Sequence, residues 1–299
     1  MTEFNWIYKG DFPIKVRTFI MGFGVTRTLL KKIKFHGGHT LVNGQESLVN
    51  RKINYGDAVK LILPPEPENK SVGVSNVPIN ILFEDPNFLV VNKPAGVASV
   101  PGHDPLDDSL VNRVKGYYKQ QGYTNQRIHI VTRLDKGTSG IVLFAKHHLA
   151  HSILDKQLKD KSIKKMYYAI TSGIIKTRHF EIFLPIGRAD DSLVKRVVTD
   201  SGKMSDTEGW VIKNMKDSTL IKVQLHTGRT HQIRVHMKEF GHPLIGDWLY
   251  NPGNSQLSRQ ALHCEFVQFF NPFSNRMVKV HAPVPKDMLT FIKNNSLLF

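Results

Sequence analysis

Along residues 78–299 the apolar positions fall in short runs broken by turn-forming residues, the pattern of strands rather than of long amphipathic helices. Strands are predicted at Phe88–Val91, Ile128–Val131, Ile141–Ala145, Tyr167–Thr171, Phe180–Leu184, Thr219–His226 and Ala261–Phe270. Helical spacing is predicted over 107–121, 147–160, 230–240 and 286–294. Strand–helix–strand units are too few for a doubly wound sheet. The expectation is an α+β domain, a mixed, largely antiparallel sheet with helices packed on it. Upstream, Phe19, Ile20 and Phe23 share one helical face, and Thr26 stands where it can cap a second helix carrying Leu29, Leu30 and Ile33 inward. Gly37-Gly38 stops that helix, Asn43-Gly44 reads as a hairpin turn, and Val59–Leu63 reads as a closing strand.

Composition shifts once. PPEPENKSVGVSNV (64–77) holds three prolines and few large apolar groups, which reads as a connector. The organisation expected is a small α+β domain over 1–64, a linker over 65–77 and the main domain over 78–299. Forty-one Lys and Arg against 25 Asp and Glu leave +16, with a pI of about 9.8. Residues 1–64 hold ten basic and four acidic residues (+6), the linker one and two (−1), and residues 78–299 thirty and nineteen (+11). Two basic bodies on one string suit a polyanion that both can grip. A membrane surface fits less well, since no amphipathic helix shows a broad apolar face. No run approaches the roughly 18 apolar residues of a span, and no basic head precedes an apolar run, so a cytoplasmic chain is expected. The one cysteine, Cys264, excludes an internal disulfide framework and any multi-cysteine metal site.

Three stretches set charged residues among apolar ones. In HIVTRLDKGTSGIVLFAK (129–146) two apolar strands flank a polar turn holding Arg133, Asp135, Lys136, Thr138 and Ser139. A hairpin loop whose Asp caps a turn is the simpler reading. Neither a phosphate-binding G-x-x-x-x-G-K-[ST] loop nor a G-x-S-x-G elbow is present. The strand 219–226 runs into Thr227-Gly228-Arg229-Thr230 and the helix HQIRVHMKEFG, with Thr230 the expected cap and Ile233, Met237 and Phe240 the apolar stripe. Arg234 flanks that stripe, so it is expected to be partly buried and to need a carboxylate. KSIKKMYYAITSG (161–173) is a basic approach to a strand that puts Tyr167 and Tyr168 on opposite faces. Arg27, Lys31, Lys32 and Lys34 on the second front helix, with Lys164 and Lys165, are the candidate polyanion-binding cations. Lys93-Pro94 reads as a turn with an exposed lysine. The histidines lack accompanying cysteine or clustered carboxylate, so no metal is expected.

The chain resembles the RluA/RluD type of RNA pseudouridine synthase over nearly its full length. The resemblance rests on LVVNKPAGVASVPG (89–102), TRLDKGTSGIVLFAK (132–146), KKMYYA (164–169), LHTGRTHQIRVHMKEFGHPLIGDWLY (225–250) and RQALH (259–263). The front piece, with its two helices, VNG and GD, resembles an S4-type RNA-binding module over most of residues 12–64. The resemblance implies isomerisation of uridine in structured RNA, ribosomal large-subunit RNA foremost and transfer RNA second. A catalytically silent RNA-binding protein of the same fold is the alternative. It implies Asp135 as the catalytic aspartate, Arg133 as the side chain that fills the gap left by the extruded base, and Tyr167 as the ring stacked on that base and a candidate for moving a proton. It further implies Arg234 as the partner of the catalytic carboxylate and Ile233 as an aliphatic wall. Where the family usually has His, this chain has Thr132, which keeps a hydroxyl for the RNA backbone. No cofactor and no obligatory protein partner follow, and a monomer is expected.

Overall fold

The computed structural model describes residues 2–102 and 108–296. The front piece comprises β1 (Glu3–Ile7), β2 (Ile14–Lys15), α1 (Val16–Gly22), α2 (Arg27–Phe35), β3 (His39–Val42), β4 (Gln45–Glu46), β5 (Lys52–Ile53) and β6 (Ala58–Ile62). Its sheet runs β1-β6-β3-β4, with β2 and β5 paired separately. Thr26 caps α2 as its position predicts, its hydroxyl accepting from the Leu29 N–H at 3.2 Å. Asn43 and Gly44 both adopt positive φ (51° and 81°), the backbone that a two-residue hairpin turn requires.

The main piece comprises β7 (Asn80–Glu84), β8 (Phe88–Lys93), α3 (Leu110–Gln120), β9 (His129–Ile130), β10 (Ser139–Ala145), α4 (His148–Lys159), β11 (Lys164–Ser172), β12 (His179–Arg188), β13 (Arg196–Val198), β14 (Lys203–Asn214), β15 (Ser218–Leu225), α5 (Gln232–Glu239), β16 (Leu262–Asn271), β17 (Arg276–His281) and α6 (Lys286–Asn295). Eleven strands form one mixed sheet, ordered β13-β12-β14-β15-β11-β16-β10-β8-β7, with β17 beside β16 and β9 beside β10. The expected α+β architecture is present. Each pairing in it is antiparallel except β10 with β16, which meet in parallel at Ser139–His263 and Gly140–Cys264. Residue 107, where the third helix was expected to start, lies outside the described residues. The helix runs from Leu110 behind a Ser109–Asn112 capping box.

The central strands are buried on both faces, so they read as continuous apolar runs. Phe88 and Val90 of β8, with Ile141 and Leu143 of β10, face the layer that contains α4 and α5. Leu89, Val91, Val142 and Phe144 face α3 instead, against Leu110, Val114 and Tyr118. α6 closes a third cluster through Met288 and Phe291. Among the described residues no helix is long and apolar enough to cross a membrane.

The connector has no element of its own, but it is not a free string. Glu66 is buried and accepts from His129 Nε2 and from the His148 N–H, both at 2.8 Å. Lys115 donates to the carbonyls of Asn69 and Val72, and Asn112 to that of Gly73. The front piece also shares its core: Leu149 and Ile153 of α4 pack in one cluster with Val16, Ile20, Leu29 and Ile33. Phe4 of β1 stacks on Phe273 with centroids 5.2 Å apart.

His147 bolts this junction. Its Nδ1 accepts from the Ala150 N–H and so caps α4, which leaves Nε2–H to donate to Asn87 at 2.9 Å. The ring therefore has to be neutral, and burial pushes it down to about 4 from an ordinary 6.5. The unfolded chain takes up the proton first, so stability is complete above about pH 6.5 and drains away as pH falls towards 4. At pH 5 the loss from His147 is about 2 kcal/mol. Thermal scans from pH 7.5 to 5 should show Tm falling by several degrees, and His147→Asn, which keeps a capping oxygen without titrating, should flatten the slope. A wild-type Tm that is level over this range would remove the account.

Candidate active site

The turn between β9 and β10 is held from below on almost every residue. Lys93, expected to be exposed, is fully buried. Its ammonium donates to the carbonyls of Pro94, Val97 and Lys136 at 2.9, 2.7 and 3.2 Å. Burial pushes Lys93 down to about 7, while Asp135 pulls it back up. Ser99 brackets Leu134, donating to its carbonyl at 2.6 Å and accepting from its N–H at 2.9 Å. Gln260 donates to Thr138, and Arg259 to the Gly137 carbonyl. Gly140 has φ 112°, and a Cβ there would come within 2.2 Å of the Cys264 carbonyl oxygen. Only glycine admits the close parallel approach of β10 to β16 at the end of this turn.

Above the turn lies a cavity of about 730 Å³. Asp135, Arg133, Tyr167, Ile233 and Arg234 all line it, so the residues named from sequence converge. Among the described lining residues Asp135 alone is acidic, and Arg133, Lys136, Lys161, Lys165, Arg196 and Arg229 surround it. Arg133 is exposed, with no acidic partner among the described residues. Tyr167 is 5% exposed, and burial, reinforced by the Cys264 thiol beside it, pushes its phenol well above the usual 10. That side chain keeps its proton.

Arg234 is the hinge of the electrostatics. Its guanidinium is 3% exposed and carries two carboxylates. Nε and Nη2 grip Asp247 at 2.7 and 2.8 Å, and Nη1 reaches Asp135 at 3.1 Å. Sequence reasoning supplied one carboxylate for this arginine and missed the second. Asp247 is wholly buried, and its Oδ1 also accepts from the backbone N–H groups of Leu249 and Tyr250. The signal was available, because a fork of five donors buried in a core is satisfied by more than one carboxyl oxygen.

The turn before α5 is fixed by Gln232, which the motif reading passed over. Its amide nitrogen donates to the Asp206 carbonyl and to Thr207, and its oxygen accepts from the Thr227 hydroxyl and the Arg229 N–H. The helix starts later than expected. Its cap is His231, in the left-handed region at φ 59°, and not Thr230, which is exposed. Thr132, which stands where the family usually has His, also has its place. It is buried in the cavity wall, and its hydroxyl accepts from the Leu143 N–H at 3.0 Å.

The cations divide. Lys165 points into the cavity, where burial lowers its pKa, while Lys164 beside it is exposed. Arg27, Lys31 and Lys34 stand exposed on α2, but Lys32 turns to His148 Nδ1 at 3.3 Å, across the junction. One group of metal-type donors converges within 4.8 Å among the described residues, His179, Glu181 and Glu208 on β12 and β14. There Glu208 is already shared by two imidazoles, those of His179 and His226, each at 2.9 Å.

Residues 87–239 match the family model described as RNA pseudouridylate synthase. The chain is 38% identical over 281 residues to the uncharacterized RNA pseudouridine synthase YjbO of Bacillus subtilis, covering 94% of this chain and 99% of that one. It is 36% identical to the ribosomal large subunit pseudouridine synthase D of Pseudomonas aeruginosa, covering 77% and 76%. The solved structure of human RNA pseudouridylate synthase domain containing 1 superposes with a TM-score of 0.59 at 24% identity, over 70% of this chain and 84% of that one, a likeness of fold.

Removing one partner of a buried ion pair leaves the other charge stranded, at a cost of about 3–5 kcal/mol. Asp247→Ala should therefore lose that much in urea unfolding and lose activity with it. The double variant Arg234→Met/Asp247→Leu should recover most of the stability and none of the activity, which separates packing from chemistry.

Proposed function

This chain belongs to the RNA pseudouridylate synthase family, of the RluA type, and we propose that the uridine it isomerises lies in large-subunit ribosomal RNA and is extruded into the cavity around Asp135. The reaction breaks N1–C1′, turns the base within the site, joins C5 to C1′ and moves a proton from C5 to N1. A stacked uridine hides the bond to be broken, so the nucleotide has to leave the stack at a cost of a few kcal/mol. Arg133, exposed at the mouth and free of acidic partners among the described residues, suits the gap left behind, since a guanidinium plane stacks on bases. The ring of Tyr167 makes a wall for the flipped base, worth roughly 1–3 kcal/mol. Its raised pKa suits that stacking role and tells against phenolate as the base that takes the C5 proton.

Asp135 supplies the negative oxygen that the sugar carbon needs as N1 departs. The observation that carries this reading is the placement of that carboxylate. It is the one acidic group among the described residues of a basic cavity, and it sits 3.1 Å from an arginine that Asp247 already holds rigid. The base never leaves, so no second carboxylate is required to protonate a leaving group, in contrast to glycoside hydrolysis. Asp247 stays with Arg234, buried and out of the chemistry.

The ribosomal substrate draws support from relatives such as the Pseudomonas enzyme named for the large subunit. We read the front piece, 1–64, as an S4-like module that adds affinity through Arg27, Lys31 and Lys34 on the open face of α2, with 65–77 as its connector and 78–299 as the catalytic domain. Lys164 and Lys165 extend the basic path to the cavity.

Asp135→Asn should abolish tritium release from RNA labelled at uridine C5 while leaving RNA affinity within a few-fold. Pseudouridine maps of RNA from cells lacking the gene should lose a large-subunit site that wild type restores and Asp135→Asn does not. Loss confined to transfer RNA would move the substrate there, and equal tritium release by both proteins would remove Asp135 from the mechanism. Reversing Arg27, Lys31 and Lys34 to Glu should weaken binding across RNA sequences and lower the slope of log K against log salt by up to about 3. An unchanged slope would leave α2 without a role in RNA binding.

A further inference from the structure

We propose that His231 is a positioning residue for the reaction, its Nε2–H serving as the second donor that orients the Asp135 carboxylate, with Tyr250 fixing the tautomer that makes this work. The proposal rests on the reading of Asp135 given above. Four observations carry it.

The ring lies beside the carboxylate, with Nε2 3.8 Å from Asp135 Oδ2, the oxygen that Arg234 Nη1 also meets at 3.1 Å. The imidazole is 9% exposed, so this is an interior contact rather than a screened surface pair. Its other nitrogen is committed, Nδ1 standing 2.9 Å from the Tyr250 hydroxyl. That hydroxyl oxygen already accepts from the Arg196 N–H at 2.9 Å. The phenol's own proton then has one acceptor to go to, Nδ1, which places the imidazole proton on Nε2, facing Asp135. Finally, the backbone is strained to put the ring there. His231 enters α5 in the left-handed region, φ 59° and ψ 16°, and its side chain makes no capping bond in return. A strained non-glycine residue persists where its surroundings over-determine it. Here the surroundings are the T-shaped contact with Tyr250, at 5.7 Å and 81°, and the hydroxyl bond.

The two donors differ in kind. Arg234 is clamped by Asp247 and lies over the Tyr250 ring at 5.0 Å, so it cannot follow the carboxylate if that group turns towards a sugar carbon. The imidazole contact is longer than a hydrogen bond, so Nε2–H steers Oδ2 as the carboxylate turns and does not fix it beforehand. Tyr250 touches both donors, so one residue sets the geometry of the pair. No proton is gained or lost by His231 in this role. Burial lowers its pKa, against the pull of Asp135, and so favours the neutral ring that the role needs.

The test is single-turnover pseudouridine formation on a stem-loop transcript that wild type modifies, read alongside the Kd for that transcript and the Tm of each protein. His231→Ala should slow the chemical step by roughly 10- to 100-fold, the size expected when a reacting group is misplaced by less than an ångström, with Kd unchanged within about two-fold. His231→Gln, which offers an amide N–H near the position of Nε2, should recover part of that loss. Tyr250→Phe, which frees the tautomer but keeps the ring, should show an intermediate loss. A wild-type rate for His231→Ala overturns the proposal. So does a loss tracked by Kd or Tm, or one that Gln does not relieve. Asp135→Asn, run in parallel, separates the two readings: if it is active, the role of Asp135 fails and this one with it, whereas an inactive Asp135→Asn beside a fully active His231→Ala sinks His231 alone.

Discussion

A guanidinium buried in the core and shared between two carboxylates governs the arrangement of this molecule. Arg234 sits in the first turn of α5 and is 3% exposed, a placement that only paired charge makes tolerable. The bidentate grip of Asp247 meets most of that need, and two further backbone N–H groups hold Asp247 in turn. What remains of the guanidinium reaches Asp135. The carboxylate in the cavity is thus oriented by a rigid pair rather than by a flexible surface cation, and the loop from Leu244 to Tyr250 becomes part of the site although it presents no reacting group.

The catalytic turn obeys the same logic from the opposite side. A polar loop between two buried strands exposes carbonyls that need donors. Lys93 donates to one of them, that of Lys136, and to the Pro94 and Val97 carbonyls just past β8, and so ties the end of β8 to the residue that follows Asp135. Ser99 and Arg259 meet the carbonyls of Leu134 and Gly137, and Gln260 donates to the Thr138 hydroxyl. Asp135 is therefore held by its backbone from below and by Arg234 from above, and the freedom left to it is rotation of its own carboxyl group.

Much of this was legible in the chain. The continuous apolar runs of β8 and β10 appeared because both faces are buried, and Arg133, Asp135, Lys165 and Arg234, from RLD, KKMYYA and QIR, line one cavity. β14 escaped notice for a physical reason. Its inward positions are Ser205, Thr207 and Gly209, small or polar residues that no hydrophobic period reveals, and two of them are fully buried. They are small because Gln232 and His236 bond Thr207 from α5, and because a Cβ at 209 would strike the ring of Phe180. β1 and β17 were missed because each turns only two side chains inward, Phe4 and Trp6 in one and Val278 and Val280 in the other. Asp247 was missed because pairing of one arginine with one aspartate seemed complete. Lys93 was misjudged because polar side chains near a turn tend to face water, whereas here it satisfies backbone groups inside.

The connector's prolines suggest a place where the chain could be cut, yet α4 argues otherwise. Leu149 and Ile153 belong to the core of the front piece as much as to their own helix, and Lys32 reaches across to His148. A chain severed at the composition boundary would present that apolar strip to water and invite self-association. Substitutions on α1 and α2 are likewise answerable to α4, so neither half is free to change its inner face alone. The boundary drawn by composition is one of sequence, and the core of the front piece crosses it.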